Sequence, residues 1–149
     1  MRPLPGKDGT AALLGDLIAI LLDPYDDKGA FKGRIRIAVP RMGVGEQSAT
    51  TLALVIHELA TNSLKYGSLS AEAGLLDISS ESTDDDVTIK WIEHGGPEII
   101  SEPHQDRVGF GSKLVERSIS QQLGGSIHYD WSREGAIVTL RMSKARLAF

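Results

Sequence analysis

From Ser48 to Tyr66 the chain carries an unbroken helical pattern with two faces, and this segment constrains the fold more than any other. Leu52, Ile56, Leu59 and Ser63 recur at helical spacing and form a face to be buried. Glu58, Thr61, Asn62 and Lys65 fall at i, i+3, i+4 and i+7, so they share a second face. One carboxylate, one hydroxyl, one amide and one ammonium on a short arc suit a hydrated cation and a polyanion. A solvated helix face with a favourably placed Glu and Lys accounts for the same residues.

The flanking patterns supply a layer for that helix to cover. Ala11 to Leu22 reads as a helix, with Thr10 as N-cap and Asp23-Pro24 as its stop. Arg34 to Val39 alternates like a half-buried strand and ends at Pro40. Ser48 is the expected cap of the long helix, and Gly67 its end. Leu75 to Glu81 and Val87 to Glu93 are strand-like runs around Ser82 to Asp86, whose aspartates read as a solvated hairpin tip. Gly95 to Gly109 has no periodicity and suits a functional loop. Phe110 to Leu123 returns to helical spacing, with Leu114, Val115, Ile119 and Leu123 towards the core and Gly124-Gly125 as the stop. Ser126 to Trp131 and Ala136 to Met142 are two closing strands. This order predicts an α+β two-layer sandwich: a mixed, mostly antiparallel sheet covered on one face by about three helices.

Composition removes several functions. A chain of 149 residues suits one domain, expected over 10–149 behind a flexible lead-in at 1–9. Without cysteine there is neither a disulfide nor a thiolate zinc site. A net charge of −4 argues against nucleic-acid binding as the main task. No apolar run approaches the roughly 20 residues that span a bilayer, so no membrane contact is expected, and a cytoplasmic location is.

Two further segments carry chemistry. In Trp91-Ile92-Glu93-His94-Gly95-Gly96-Pro97 a strand delivers a carboxylate to its end, and glycines follow at once. Glycines there let backbone approach a flat ligand, and Glu93 can accept from an exocyclic amine. An ordinary Gly-Gly-Pro turn fits too. In Gly109-Phe110-Gly111-Ser112-Lys113 a Gly-x-Gly leads into the helix, whose N–H groups, helped by Lys113, suit a phosphate. A plain helix start fits equally. The spacing is neither a Walker loop nor a Rossmann fingerprint. His57-Glu58 lacks the second histidine of a zinc-protease helix, because Thr61 stands there. His57 suits hydrogen bonding beside the stripe better than accepting a phosphoryl group, and His94, His104 and His128 read as solvated.

In this order the three segments resemble the catalytic ATP-binding domain of sensor histidine kinases, within the Bergerat-fold ATPase superfamily. The HWE branch is the nearer one, through His57 in HELATNSLKYGSLS and Trp91 and Glu93 in WIEHGGP, with GFGSKLVERSISQQLGG as the phosphate-side box. The resemblance runs from about Leu13 to Met142. It implies that Asn62 ligates an Mg²⁺ bridging the ATP phosphates, with Glu58 orienting a metal-bound water or polarising the attacking imidazole. Lys65 would reach the phosphates, Tyr66 would pack near adenine or ribose, and His57 would be a branch marker beside the nucleotide. Glu93 would bond the adenine N6 amine, above a floor shaped by Gly95 and Gly96. Gly109 and Gly111 would present N–H groups to the phosphates, and 97–108 would be the ATP lid. Pro97 stands where the wider superfamily has its second glycine. The implied partners are ATP, a helical dimerisation and phosphoacceptor segment on the same polypeptide or a partner protomer, and indirectly a response regulator. That segment is absent here, so the chain is expected to be a fragment or a truncated catalytic domain that binds nucleotide without phosphorylating itself. An anti-sigma-type serine kinase, or a degenerate ATP-binding regulatory module of the same fold, is the alternative.

Overall fold

Strand β5 (Asp86–His94) sets the architecture, because every second residue from Val87 to Glu93 is buried on one face. In the computed structural model, residues 12–26, 33–97 and 105–149 are described, with 105–112 as backbone only. The expected lead-in at 1–9, the Thr10 cap, His104 and most of the lid lie outside them.

β5 pairs antiparallel with β4 (Leu75–Ser82) and β7 (Gly135–Ser143), and β6 (Ser126–Ser132) closes the far edge against β7. On the near edge β2 (Ile35–Ala38) joins β4 in parallel, giving the five-stranded order β2-β4-β5-β7-β6. That parallel pair follows from the helix that crosses over between them, α2 (Glu46–Tyr66). A second, two-stranded ribbon joins β1 (Ala12–Leu13) to β3 (Gly43–Val44); both are too short to show periodicity.

α1 (Leu14–Asp26), α2 and α3 (Gln105–Gln122) contribute Leu14, Ile18, Leu52, Ile56, Val115 and Ile119 to one core with Ile78, Trp91, Val138 and Leu140 of the sheet. The expected mixed sandwich is present. Several boundaries differ from expectation. Pro24 sits inside the last turn of α1 rather than stopping it at Leu22. It cannot donate to the carbonyl of Ile20, but Ile20 is 70 % exposed, so water can satisfy that group. Leu114 is 37 % exposed while Val115, Ile119 and Leu123 are buried; at about 100° per residue, neighbours cannot both centre the buried stripe.

Ser48 does not cap α2. The N-cap is Gly45, and Ser48 is buried with its hydroxyl donating to the Arg146 carbonyl at 2.8 Å. The amides of the α2 N-terminus are satisfied from the end of the chain. Gly45 N–H donates to the Leu147 carbonyl at 2.8 Å, and Gln47 N–H to Phe149 O at 2.9 Å. Helix α4 (Lys144–Leu147), capped by Ser143, holds that segment in place. A Cβ on Gly45 would lie 1.9 Å from the Phe149 carbonyl carbon. Gly45→Ala is therefore expected to unseat this cap and cost about 2 kcal/mol in urea unfolding; a change within experimental error would refute the coupling.

Candidate functional site

The C-terminal half of α2 and the end of β5 meet at Glu93. The Oε1 atom accepts from the Ser68 N–H at 2.8 Å and from the Ser63 hydroxyl at 3.0 Å. Oε2 accepts from the Trp91 indole N–H at 2.9 Å. Trp91 and Glu93 are two apart on a strand, so they share a face, and this explains the spacing of the pair. Ser63 Oγ also accepts from Leu69 N–H at 3.2 Å and lies 3.5 Å from the Ser68 hydroxyl. Glu93 is 7 % exposed and Trp91 1 %.

Glu93 needs room on the helix side, and Gly67 provides it. A Cβ there would lie 2.0 Å from Oε1. Gly67 ends α2 as expected, with its N–H on the Ser63 carbonyl at 2.9 Å, but at φ −108° it serves by its size and not by a left-handed turn. Gly95, at φ +71°, does need the left-handed region. Gly95 and Gly96 permit a close approach of backbone to their own chain: added Cβ atoms would come within 2.6 Å of Ala73 O and Ser68 Cα. The 3-10 turn Ser68–Ser70 is held from the other side by Arg34, whose guanidinium donates to the carbonyls of Leu69 and Ala71.

The polar stripe lies beside this carboxylate. Glu58 and Asn62 are half-buried and Lys65 is exposed, and none is drawn into a hydrogen bond or ion pair with another described residue. Thr61 leaves the set, since its hydroxyl donates back to the carbonyls of His57 and Glu58 at 2.9 and 3.1 Å. Tyr66 is 43 % exposed at the helix end. His57 is exposed, and its Nδ1 lies 2.8 Å from the Tyr25 hydroxyl of α1. Tyr25 had no sequence signal, being 32 positions away.

The third segment is placed differently from expectation. α3 begins at Gln105, so Gly109 and Gly111 lie past its first turn and Lys113 stands mid-helix. Lys113 is exposed and borders a groove between α3 and β6 with Glu116 and Arg117. His94 is not simply solvated: Nε2 sits 2.8 Å from Asp77 Oδ2, with Arg36 at 3.7 Å from the other oxygen. Asp84 and Asp85 are exposed at the hairpin tip as expected, and no cluster of three metal-ligating side chains occurs among the described residues.

The profile of the histidine kinase-, DNA gyrase B- and HSP90-like ATPase family matches residues 47–146, and the chain belongs to this family. Its similarities lie with histidine kinases. It is 38 % identical over 135 residues to the blue-light-activated histidine kinase 1 of Erythrobacter litoralis, covering 91 % of this chain and 37 % of that protein. With the blue-light-activated histidine kinase of Brucella ovis it shares 28 % over 136 residues, covering 89 % and 27 %. The chain thus spans between about a quarter and little more than a third of the length of these relatives. Among solved structures, the histidine kinase domain of an Erythrobacter litoralis blue-light activated kinase superposes with a TM-score of 0.67 at 17 % identity, covering 90 % of this chain and 60 % of that one. The catalytic domain of the histidine kinase ThkA gives 0.66 at 19 %, covering 89 % and 94 %. The fold is that of a histidine kinase ATP-binding catalytic domain, and no helix among the described residues is long and apolar enough to cross a membrane.

A carboxylate that meets donors on both oxygens has no isosteric substitute. In Glu93→Gln the new amide NH₂ must face either the Trp91 indole N–H or the Ser63 and Ser68 donors. The variant is expected to lose about 1–3 kcal/mol in urea unfolding of the ligand-free protein; unchanged stability would show that the carboxylate is not held by these donors.

Proposed function

We propose that this domain binds ATP between the α2 stripe and the Glu93 end of the sheet, and passes the γ-phosphoryl group to a histidine on a helical segment outside it. The observation that carries the reading is the juxtaposition of a buried, donor-lined carboxylate with an accessible Glu58/Asn62/Lys65 stripe on the adjoining helix. Glu93 accepts from the adenine N6 amine, and Tyr66 packs against adenine or ribose. Lys65 sets a positive charge against the phosphates.

Magnesium fits the donors present. Asn62 offers one neutral oxygen and no acidic cluster surrounds it among the described residues, which suits an ion that keeps several waters and takes its remaining oxygens from phosphates. When bound, the ion neutralises charge on the phosphates. Glu58, one turn before Asn62, accepts the proton side of the incoming imidazole and orients it. His57, tied to Tyr25, supports that end of the stripe and is not the acceptor. The acceptor histidine resides on the dimerisation segment of the same polypeptide or of a partner protomer, in the cytoplasm, and a response regulator receives the group in turn. That the relatives named above are all histidine kinases favours this over a serine-kinase or degenerate module.

For Gly109 and Gly111 to reach phosphate, the first turns of α3 must open, because N–H groups past the first turn are engaged by carbonyls four residues back. Each glycine costs a helix about 1 kcal/mol relative to alanine, which keeps that opening shallow.

Calorimetric titration with ATP, with and without Mg²⁺, tests the metal assignment. The wild type is expected to gain at least about tenfold in affinity from Mg²⁺, and Asn62→Ala to lose that gain. Equal Mg²⁺ dependence in both removes Asn62 from the metal. A double Gly109→Ala, Gly111→Ala variant is expected to raise helicity by circular dichroism and weaken ATP binding about tenfold or more; undiminished affinity would show that this helix start does not open onto the nucleotide.

A further inference from the structure

We infer that Ser63 and Trp91 are positioning residues that make Glu93 select a 6-amino over a 6-oxo purine, a proposal that rests on the adenine reading above. An ionised carboxylate accepts and cannot donate, with about four lone-pair positions on its two oxygens. Three are taken among the described residues. Ser63 Oγ and Ser68 N–H occupy Oε1 at 3.0 and 2.8 Å, and the Trp91 indole occupies one side of Oε2 at 2.9 Å. One acceptor position on Oε2 is left for a ligand, and its direction is set by the indole on the other side.

The three donors also fix the rotation of the carboxylate. The Ser63 hydroxyl receives Leu69 N–H at 3.2 Å and donates to Oε1 at 3.0 Å, nearer than its other polar neighbour, the Ser68 hydroxyl at 3.5 Å. Ser68 is fixed by the 3-10 turn, and the indole is fixed by its burial in the core. A carboxylate that cannot rotate, surrounded by donors, offers the ligand a single acceptor. An exocyclic amine matches it, while a carbonyl oxygen in the same place meets another acceptor. Discrimination of this kind comes from leaving a wrong partner unpaired in a desolvated place. If the indole N–H or the Ser63 hydroxyl is removed, the carboxylate can turn or admit water, and the penalty on the carbonyl falls. Both residues act through Glu93 without touching the base.

The test measures the ratio of affinities for adenosine and inosine 5′-triphosphates, which differ at the 6-position, by competition against a fluorescent nucleotide. The proteins are the wild type, Trp91→Phe, Ser63→Ala and Ile89→Val. Ile89 is buried on the same face of β5, two residues before Trp91, and does not contact the carboxylate through a hydrogen bond. Trp91→Phe and Ser63→Ala are each expected to cut the wild-type preference for the 6-amino nucleotide about tenfold. Ile89→Val is expected to lower the melting temperature and leave the ratio unchanged. If both nucleotides weaken equally in the two site variants, the residues are structural only and the inference is overturned. A wild type that shows no preference overturns the adenine reading itself, and with it this one. Should Ser63→Ala not fold, Trp91→Phe, which removes the N–H together with part of the buried ring, decides through the ratio, which lost packing measured with Ile89→Val leaves unchanged.

Discussion

The buried carboxylate of Glu93 is the interaction on which the site end of the fold depends. Taking a charged group out of water is costly unless hydrogen bonds replace its hydration. Here the replacements come from three elements: Trp91 on β5, Ser63 on α2, and Ser68 at the start of the 3-10 turn. The group that reads the nucleobase in the proposed function is thus also the tie between helix layer and sheet. Removing its charge loosens the frame before any ligand is considered.

Geometry around the carboxylate follows from that tie. A glutamate side chain reaching from the strand to the helix end requires Gly67 to have no Cβ, and the 3-10 turn then rests on Gly96 at distances no larger residue allows. Arg34, from the start of β2, closes the arrangement by holding carbonyls of the same turn. Backbone packed on backbone has few alternative arrangements, so the surroundings of Glu93 are held from several sides at once. Gly95 and Gly96 are read from sequence as close-approach glycines, and so they are. The chain they approach is their own.

How far the sequence discloses this depends on whether the signal is periodic. The buried face of α2 and the alternation in β5 are repeating patterns, and each appears where expected. Contacts made by single residues across the fold leave no such trace. Nothing near Gly45 announces that residues 147–149 cap α2, so Ser48, the only local candidate, was given a role that burial assigns elsewhere. Ser63 offered a weak clue: a hydroxyl in a Leu/Ile stripe needs a partner, and that partner proved to be Glu93. Thr61 misled because a stripe counted by position ignores that a threonine can satisfy itself on its own helix. The Gly-x-Gly reads as a helix start, although glycines inside a helix leave the same pattern as glycines in front of one.

On the proposed reading the site has two ends with different mechanical character. At the nucleobase end, three donors, two close glycine contacts and a guanidinium fix the acceptor. At the proposed phosphate end, the side chains of Glu58, Asn62 and Lys65 have no partner among the described residues, and the facing helix carries two glycines just past its first turn that weaken it. A rigid end confers selectivity, because a mismatched base finds nothing that can adapt. A compliant end suits a reacting group, because the phosphates change charge and position as the terminal one leaves. On the proposed reading the glycines of α3 stand where the charge changes, and their low helix propensity makes that the end of the site able to yield.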